Sequence, residues 1–179
     1  MREDTSLSPR PELHGPSRED IVNDTIQGII KQFVDATASV LGTMANTPVT
    51  PKAPYVKKDS VAQGDITGVI GFSNPKGKSK GTMSITFTKQ AALGIIGGML
   101  FEELTEITPE VEDAVGELTN MISGQARKGL VELGLVFEGA IPSVVTGQGH
   151  TIRHVSTNAI LAIPFDTPHG PIMVEVCFS

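Results

Sequence analysis

Apolar residues recur every three to four positions along residues 108–134, which is the longest uninterrupted helical pattern of the chain and predicts a helix there. Pro109 suits the first helical position, where a backbone N–H would have no intrahelical partner. The face expected to meet the core consists of Val111, Val115, Leu118, Ile122, Ala126 and Leu133. The rest of the chain can be interpreted as support for this helix.

Two further stretches have helical spacing. The first covers residues 18–44, with Ser17 as its expected N-cap, and the prolines of residues 46–54 end it. The second covers residues 90–101. Residues 1–16 combine prolines and charges with few apolar side chains, which predicts a disordered tail. Residues 17–179 are expected to form a single domain.

Elsewhere the apolar residues alternate with a period of two, which is typical of half-buried strands. The predicted strands are 55–58, 65–73, 82–88, 137–146, 151–155, 158–165 and 172–178. The order of helix, strands and helix, then helix and strands again, suggests two pseudo-related halves. We therefore predict a two-layer α+β fold, with long helices packed on one face of a largely antiparallel sheet.

Composition and charge narrow the class of protein. A formal net charge of -6 argues against nucleic-acid binding, which depends on lysine and arginine to neutralise phosphates. The single cysteine, Cys177, lies in an apolar run and is expected to be a buried, inert thiol. No signal peptide is visible and no apolar run reaches the roughly 20 residues of a membrane span. These features predict a cytoplasmic protein without a membrane partner.

The polar face of the 108–134 helix carries the strongest candidate site. Asp113, Glu117, Asn120, Gly124 and Lys128 share this face, and Glu117 and Asn120 are neighbours three positions apart. Asparagine and glycine are both weak helix formers, so their presence one turn apart suggests a function. Gly124 falls between Glu117 and Asn120 in angle, where a missing side chain would let another molecule approach. Periodicity alone leaves an ordinary solvated helix face as the more common explanation.

Other candidate motifs carry less weight. A Gly-Lys-Ser sequence at 77–79 lies among the lysines at 76, 78 and 80, but Phe72 stands where a phosphate-binding loop needs glycine. A solvated hairpin tip is the better interpretation of these lysines. His150 and His154 would lie about 13 Å apart on an extended chain, too far for one zinc ion. No metal site is therefore predicted.

The sequence AVGELTNMISG at residues 114–124 resembles the Glu-x-x-Asn signature, followed by glycine, of the CheC/CheX/FliY chemotaxis phosphatases. Similarity continues through IPSVVTG at 141–147 and extends over nearly everything after residue 17. The chain is most similar to the CheX branch, whose members have one signature instead of two. The first helix offers only Asp20 and Asn23, with Gln27 in place of the expected glycine.

The resemblance implies a phosphatase that acts on the aspartyl phosphate of a CheY-like response regulator. Asn120 would hold the attacking water and Glu117 would pair with the regulator's lysine, while Asp113, Gly124 and Lys128 would contact the partner. The chain would need no cofactor of its own, since Mg²⁺ would come with the regulator. The resemblance also implies a homodimer. The alternatives are a non-catalytic regulator-binding adaptor or flagellar-switch-like module, and a plain dimeric scaffold.

Overall fold

The computed structural model describes residues 18–156 and 159–179. Its three helices are α1 (Arg18–Ala45), α2 (Lys89–Leu100) and α3 (Pro109–Glu132). Its strands are β1 (Thr50–Pro51), β2 (Tyr55–Lys57), β3 (Ile66–Ser73), β4 (Lys80–Phe87), β5 (Glu138–Gly139), β6 (Ser143–Thr146), β7 (Ile160–Asp166) and β8 (Ile172–Phe178). The predicted tail at 1–16 and the Ser17 cap lie outside the described residues. Among those residues, no helix is long and apolar enough to cross a membrane.

All eight strands join one antiparallel sheet in the order β1-β7-β8-β4-β3-β5, with β2 also on β7 and β6 also on β3. This order is symmetric about the central β4–β8 pair. Each half supplies a long helix, two short strands and a long hairpin, and its short strands pair with the hairpin of the other half. The α+β class and the two related halves are thus confirmed.

The core lies between the helices and one face of the sheet. Alternate residues of the central strands fill it, including Ile66, Ile70, Met83, Ile85 and Val174. The predicted apolar face of α3 is buried with one exception. Leu133 is 40% exposed because α3 ends at Glu132, and Leu130, one turn earlier, is buried in its place.

Three strand predictions were wrong in detail. The stretch 137–146 is not one strand but β5 and β6, separated at residues 140–142, where the Ala140 N–H donates to the Gly71 carbonyl at 2.9 Å. Residues 151–155 form no strand, only an isolated bridge between Thr151 and Val61. The short strand β1 was not predicted. It lies within the proline-rich residues 46–54, which were expected only to end the first helix.

The sheet face away from the helices is polar yet buried. Its hydroxyls include Thr67 and Thr86, which are 2.7 Å apart. Residues 147–156 cover part of this face, and His150 and His154 reach in to hydrogen-bond Thr67 and Thr82, each at 2.7 Å. These contacts explain why 151–155 leaves the extended ladder, since its polar groups pair with the face beneath it.

Glu175 is the charged centre of this polar face. Its two carboxylate oxygens lie 2.6 Å from Lys57 Nζ and 3.3 Å from His154 Nε2. Burial alone would raise the pKa of Glu175, but hydrogen bonds from His154 and Lys57, with their positive charges, hold it below its ordinary value. The cluster joins β2, β8 and the covering segment.

Helix α3 lies unusually close to β3. A Cβ atom added to Gly68 would stand 1.9 Å from the Thr119 Oγ1 atom and 2.9 Å from its Cβ. Thr119 is itself fully buried and its hydroxyl donates to the Val115 carbonyl at 2.7 Å. The missing side chain of Gly68 therefore sets the distance between helix and sheet directly beside Asn120.

The short strands β1 and β2 lie at one margin of the sheet, and β5 and β6 lie at the other. Such margins carry unpaired backbone groups through which a second sheet can add. The homodimer implied by the family resemblance stays a prediction.

Candidate functional site

Helix α3 is oriented by its capped start and its apolar face. Thr108 accepts a hydrogen bond from the Val111 N–H at 3.4 Å, and Glu110 and Glu112 occupy the first turn, where negative charge is favourable. Because the apolar face is buried on the sheet, the opposite face of the helix turns outward. Glu117 and Asn120 are both exposed there.

The exposed face of α3 forms one side of a shallow depression of about 390 Å³. Helix residues Glu112, Asp113, Gly116, Glu117 and Asn120 line it, and Pro142 and Val144 form the other side. Gly116 faces Val144, and an added Cβ atom there would be in ordinary van der Waals contact with Val144 at 3.5 Å. The pairing of β6 with β3 brings the second side into place.

The depression is acidic. Glu112, Asp113 and Glu117 contribute carboxylates, and no lysine or arginine within the described ranges forms an ion pair with any of them. Its lining also contains no serine, cysteine, histidine or lysine that could attack a substrate. The chemistry available is therefore the binding of a cation and the orientation of a small polar molecule such as water.

The structure groups three of the five predicted site residues. Glu117, Asn120 and Asp113 line the depression together, whereas Gly124 and Lys128 do not. Lys128 is exposed further along α3. A Cβ atom at Gly124 would meet only the Arg127 Nη2 atom, at 3.8 Å, so the helix surface next to Asn120 is open to a partner.

Arg127 of α3 hydrogen-bonds to the chain at the start of the 137–142 segment, which lies opposite the helix. Its Nη1 donates to the Phe137 carbonyl at 3.3 Å and its Nε to the Ser123 hydroxyl at 3.4 Å. Partial burial lowers the pKa of Arg127 from its ordinary value. A Cβ atom at Gly139 would lie 2.5 Å from the Arg127 Nη2 atom, so the guanidinium would have to move if residue 139 had a side chain.

Sequence reasoning missed four lining residues: Glu112, Gly116, Pro142 and Val144. The last two belong to the 141–147 segment that carried the family resemblance, and Gly116 lies one turn before Asn120. Their grouping depends on β6 pairing with β3, which periodicity does not reveal. In the described part of the chain, no three His, Cys, Asp or Glu side chains are placed to hold a metal ion.

The two-halved fold places the chain in the CheC-like class of helix-and-sheet proteins. Within this class it belongs to the chemotaxis phosphatase CheX family, whose sequence profile matches residues 66–166.

Individual relatives agree with this assignment. The chemotaxis protein CheX of Desulfovibrio desulfuricans is 50% identical with a TM-score of 0.77, and the match covers 84% of this chain and 99% of that chain. The CheY-P phosphatase CheX of Thermotoga maritima is 29% identical over 143 residues, which are 78% of this chain and 84% of that protein. The CheX–CheY–BeF3–Mg²⁺ complex of Borrelia burgdorferi, at 23% identity over 84% of this chain and 97% of that chain, shares the fold with a TM-score of 0.70.

Proposed function

We propose that this protein removes the phosphoryl group from the aspartyl phosphate of a CheY-like response regulator. Asn120 positions the attacking water, and Glu117 pairs with the lysine of the regulator's active site. The observation that carries the proposal is the exposure of Glu117 and Asn120 in one acidic depression whose lining has no serine, cysteine, histidine or lysine. Membership of the CheX family supports the same reaction class.

The residue types suit a reaction with water as the nucleophile. The Asn120 amide both donates and accepts hydrogen bonds and does not titrate near neutral pH, so it can hold a water in line with the phosphorus atom. Phosphoryl transfer depends mainly on positioning and on stabilisation of charge. An asparagine that positions water is therefore sufficient, provided that other groups balance the charge of the phosphate.

Those other groups must come from the partner. Three carboxylates without an internal cation would repel a free phosphate, so the phosphoryl group has to arrive with positive charge around it. A regulator that brings both a lysine and Mg²⁺ meets this requirement. The CheX of Borrelia burgdorferi forms a complex with CheY, BeF3 and Mg²⁺, which supports a partner of this kind.

The role of Asn120 is tested by Asn120→Ala. Dephosphorylation of a phosphorylated CheY-like regulator in Mg²⁺ is expected to slow by about a hundredfold, which corresponds to about 2.7 kcal/mol of lost transition-state stabilisation. Gln125→Ala removes a similar amide from the same helix, about 140° away around its axis, and should have no effect. An Asn120→Ala protein as active as its parent would refute the mechanism.

The role of Glu117 is tested by Glu117→Lys, which brings like charges together at the regulator's lysine and should weaken binding. Glu132→Lys makes the same charge change at an exposed position near the end of α3 and is the matched control. If the Glu117→Lys protein and its control bind the regulator with equal affinity, the role of Glu117 is refuted. Tight binding by the parent without faster phosphate loss would favour the adaptor alternative.

A further inference from the structure

The geometry points to Ile141 as an apolar docking residue that binds the phosphorylated regulator beside Asn120. This inference rests on the proposed function and names a contact that neither the signature nor the depression itself supplies. Ile141 lies between β5 and β6, directly before Pro142, which lines the depression.

Ile141 has a large aliphatic side chain that is 89% exposed. Pro142 and Val144, which line the depression, are partly buried, whereas Ile141 beside them is not. The chain thus presents one isoleucine to solvent beside the acidic depression. Protein contact surfaces combine apolar contacts with polar groups around them, and Ile141 beside the acidic depression offers this combination.

The loop that carries Ile141 is fixed on both sides. Before it, the Ala140 N–H donates to the Gly71 carbonyl at 2.9 Å, and Gly139 lies against the Arg127 guanidinium. After it, Ser143 pairs with Val69 as β6 begins. A side chain held this firmly loses little further backbone freedom when a partner binds, so its burial contributes more fully to affinity.

The charge of the site selects the occupant. Glu112, Asp113 and Glu117 require a basic group on the partner, and Ile141 requires an apolar surface next to that group. A second copy of this chain docked face to face would bring two such acidic sets together, which is unfavourable. A regulator whose active-site lysine is bordered by apolar side chains satisfies both requirements.

The test compares Ile141→Ala and Ile141→Asp with the parent. Two quantities are measured: kcat and KM for dephosphorylation of a CheY-like regulator from the same organism, and Kd for that regulator activated with beryllofluoride in Mg²⁺. Loss of a buried isoleucine side chain should raise KM and Kd by about 10- to 100-fold while kcat stays within about twofold. The aspartate variant should be the weaker binder, because it also adds a carboxylate beside a buried apolar contact.

Phe101→Ala and Phe101→Asp are the matched controls. Phe101 is 94% exposed, ends α2 and does not line the depression, so neither change should alter KM or Kd. Circular dichroism and urea unfolding verify that every variant folds.

The outcomes separate this inference from the proposed function. A parent that accelerates phosphate loss, together with an Ile141→Asp protein of unchanged KM and Kd, overturns the docking role and leaves the proposed function intact. A fall in kcat at constant KM, or an equal loss of affinity in Phe101→Asp, also overturns it. A parent that neither binds the regulator nor accelerates phosphate loss overturns both.

Discussion

Gly68→Ala tests whether the close contact between α3 and β3 positions the site. The added methyl would stand 1.9 Å from Thr119 Oγ1 and 2.9 Å from Thr119 Cβ, whereas carbon atoms pack favourably at about 3.5–4.0 Å. Rotation of the Thr119 side chain can relieve the first contact, at the expense of its hydrogen bond to the Val115 carbonyl. It cannot relieve the second, because the Cβ position is set by the helix backbone.

The helix must therefore move away from the sheet by about 1 Å at Thr119, the residue next to Asn120. Overpacking of this kind typically reduces the free energy of unfolding by about 1–3 kcal/mol. A displacement of about 1 Å at a positioning residue can slow turnover by as much as about a hundredfold. Both effects are expected from one methyl group that touches neither the regulator nor the water.

Urea unfolding and regulator dephosphorylation measure the two effects separately. Gly71→Ala is the stability control, because a Cβ atom there, on the same strand, has its nearest neighbour at 4.0 Å. Adding Thr119→Ala to Gly68→Ala removes the 1.9 Å contact and should restore part of the lost stability. If Gly68→Ala is as stable and as active as the parent, the close contact does not position Asn120.

The remaining predictions concern the polar face and the loop opposite α3. Because the folded-state pKa of Glu175 is lowered, its ionised form stabilises the fold at neutral pH. This contribution should be lost as pH falls below about 4.5, and the free energy of unfolding should drop over that range. The Glu175→Gln variant should not show this drop. At neutral pH, Glu175→Gln leaves Lys57 and His154 without their carboxylate and should cost about 3–5 kcal/mol, part of which Lys57→Met recovers in the double variant. Gly139→Ala should displace only the flexible end of Arg127, so stability should change by less than about 1 kcal/mol while KM for the regulator rises.

The parts of the fold that follow from local pattern were predictable. Helix α3 follows from its 3.6-residue period, its Thr108 cap and Pro109, and the β3–β4 hairpin follows from strict alternation on both sides of a turn. These signals act over a few residues and survive in almost any tertiary setting. Glu117 and Asn120 are visible for the same reason, since a helix period places them together on the outward face.

The parts that depend on tertiary partners were not predictable. The stretch 151–155 alternates like a strand, yet His150 and His154 bind hydroxyls on the sheet face beneath it, and the backbone follows them. The break at residues 140–142 likewise depends on the Gly71 carbonyl, which is about 70 positions away in sequence. For the same reason the far side of the depression, Pro142, could not be located from sequence alone.

Missing side chains shape this site as much as present ones. Gly68 lets α3 lie on the sheet, and Gly139 lets the loop before Ile141 lie against Arg127 without displacing its guanidinium. Each of these contacts fixes one direction in which α3 and the β5–β6 loop could otherwise drift apart. A mechanism that rests on holding one water in line needs this constraint more than it needs reactive groups, because positioning is its main source of rate. Under the proposed mechanism, the carboxylates without internal cations are balanced only when a positively charged partner binds.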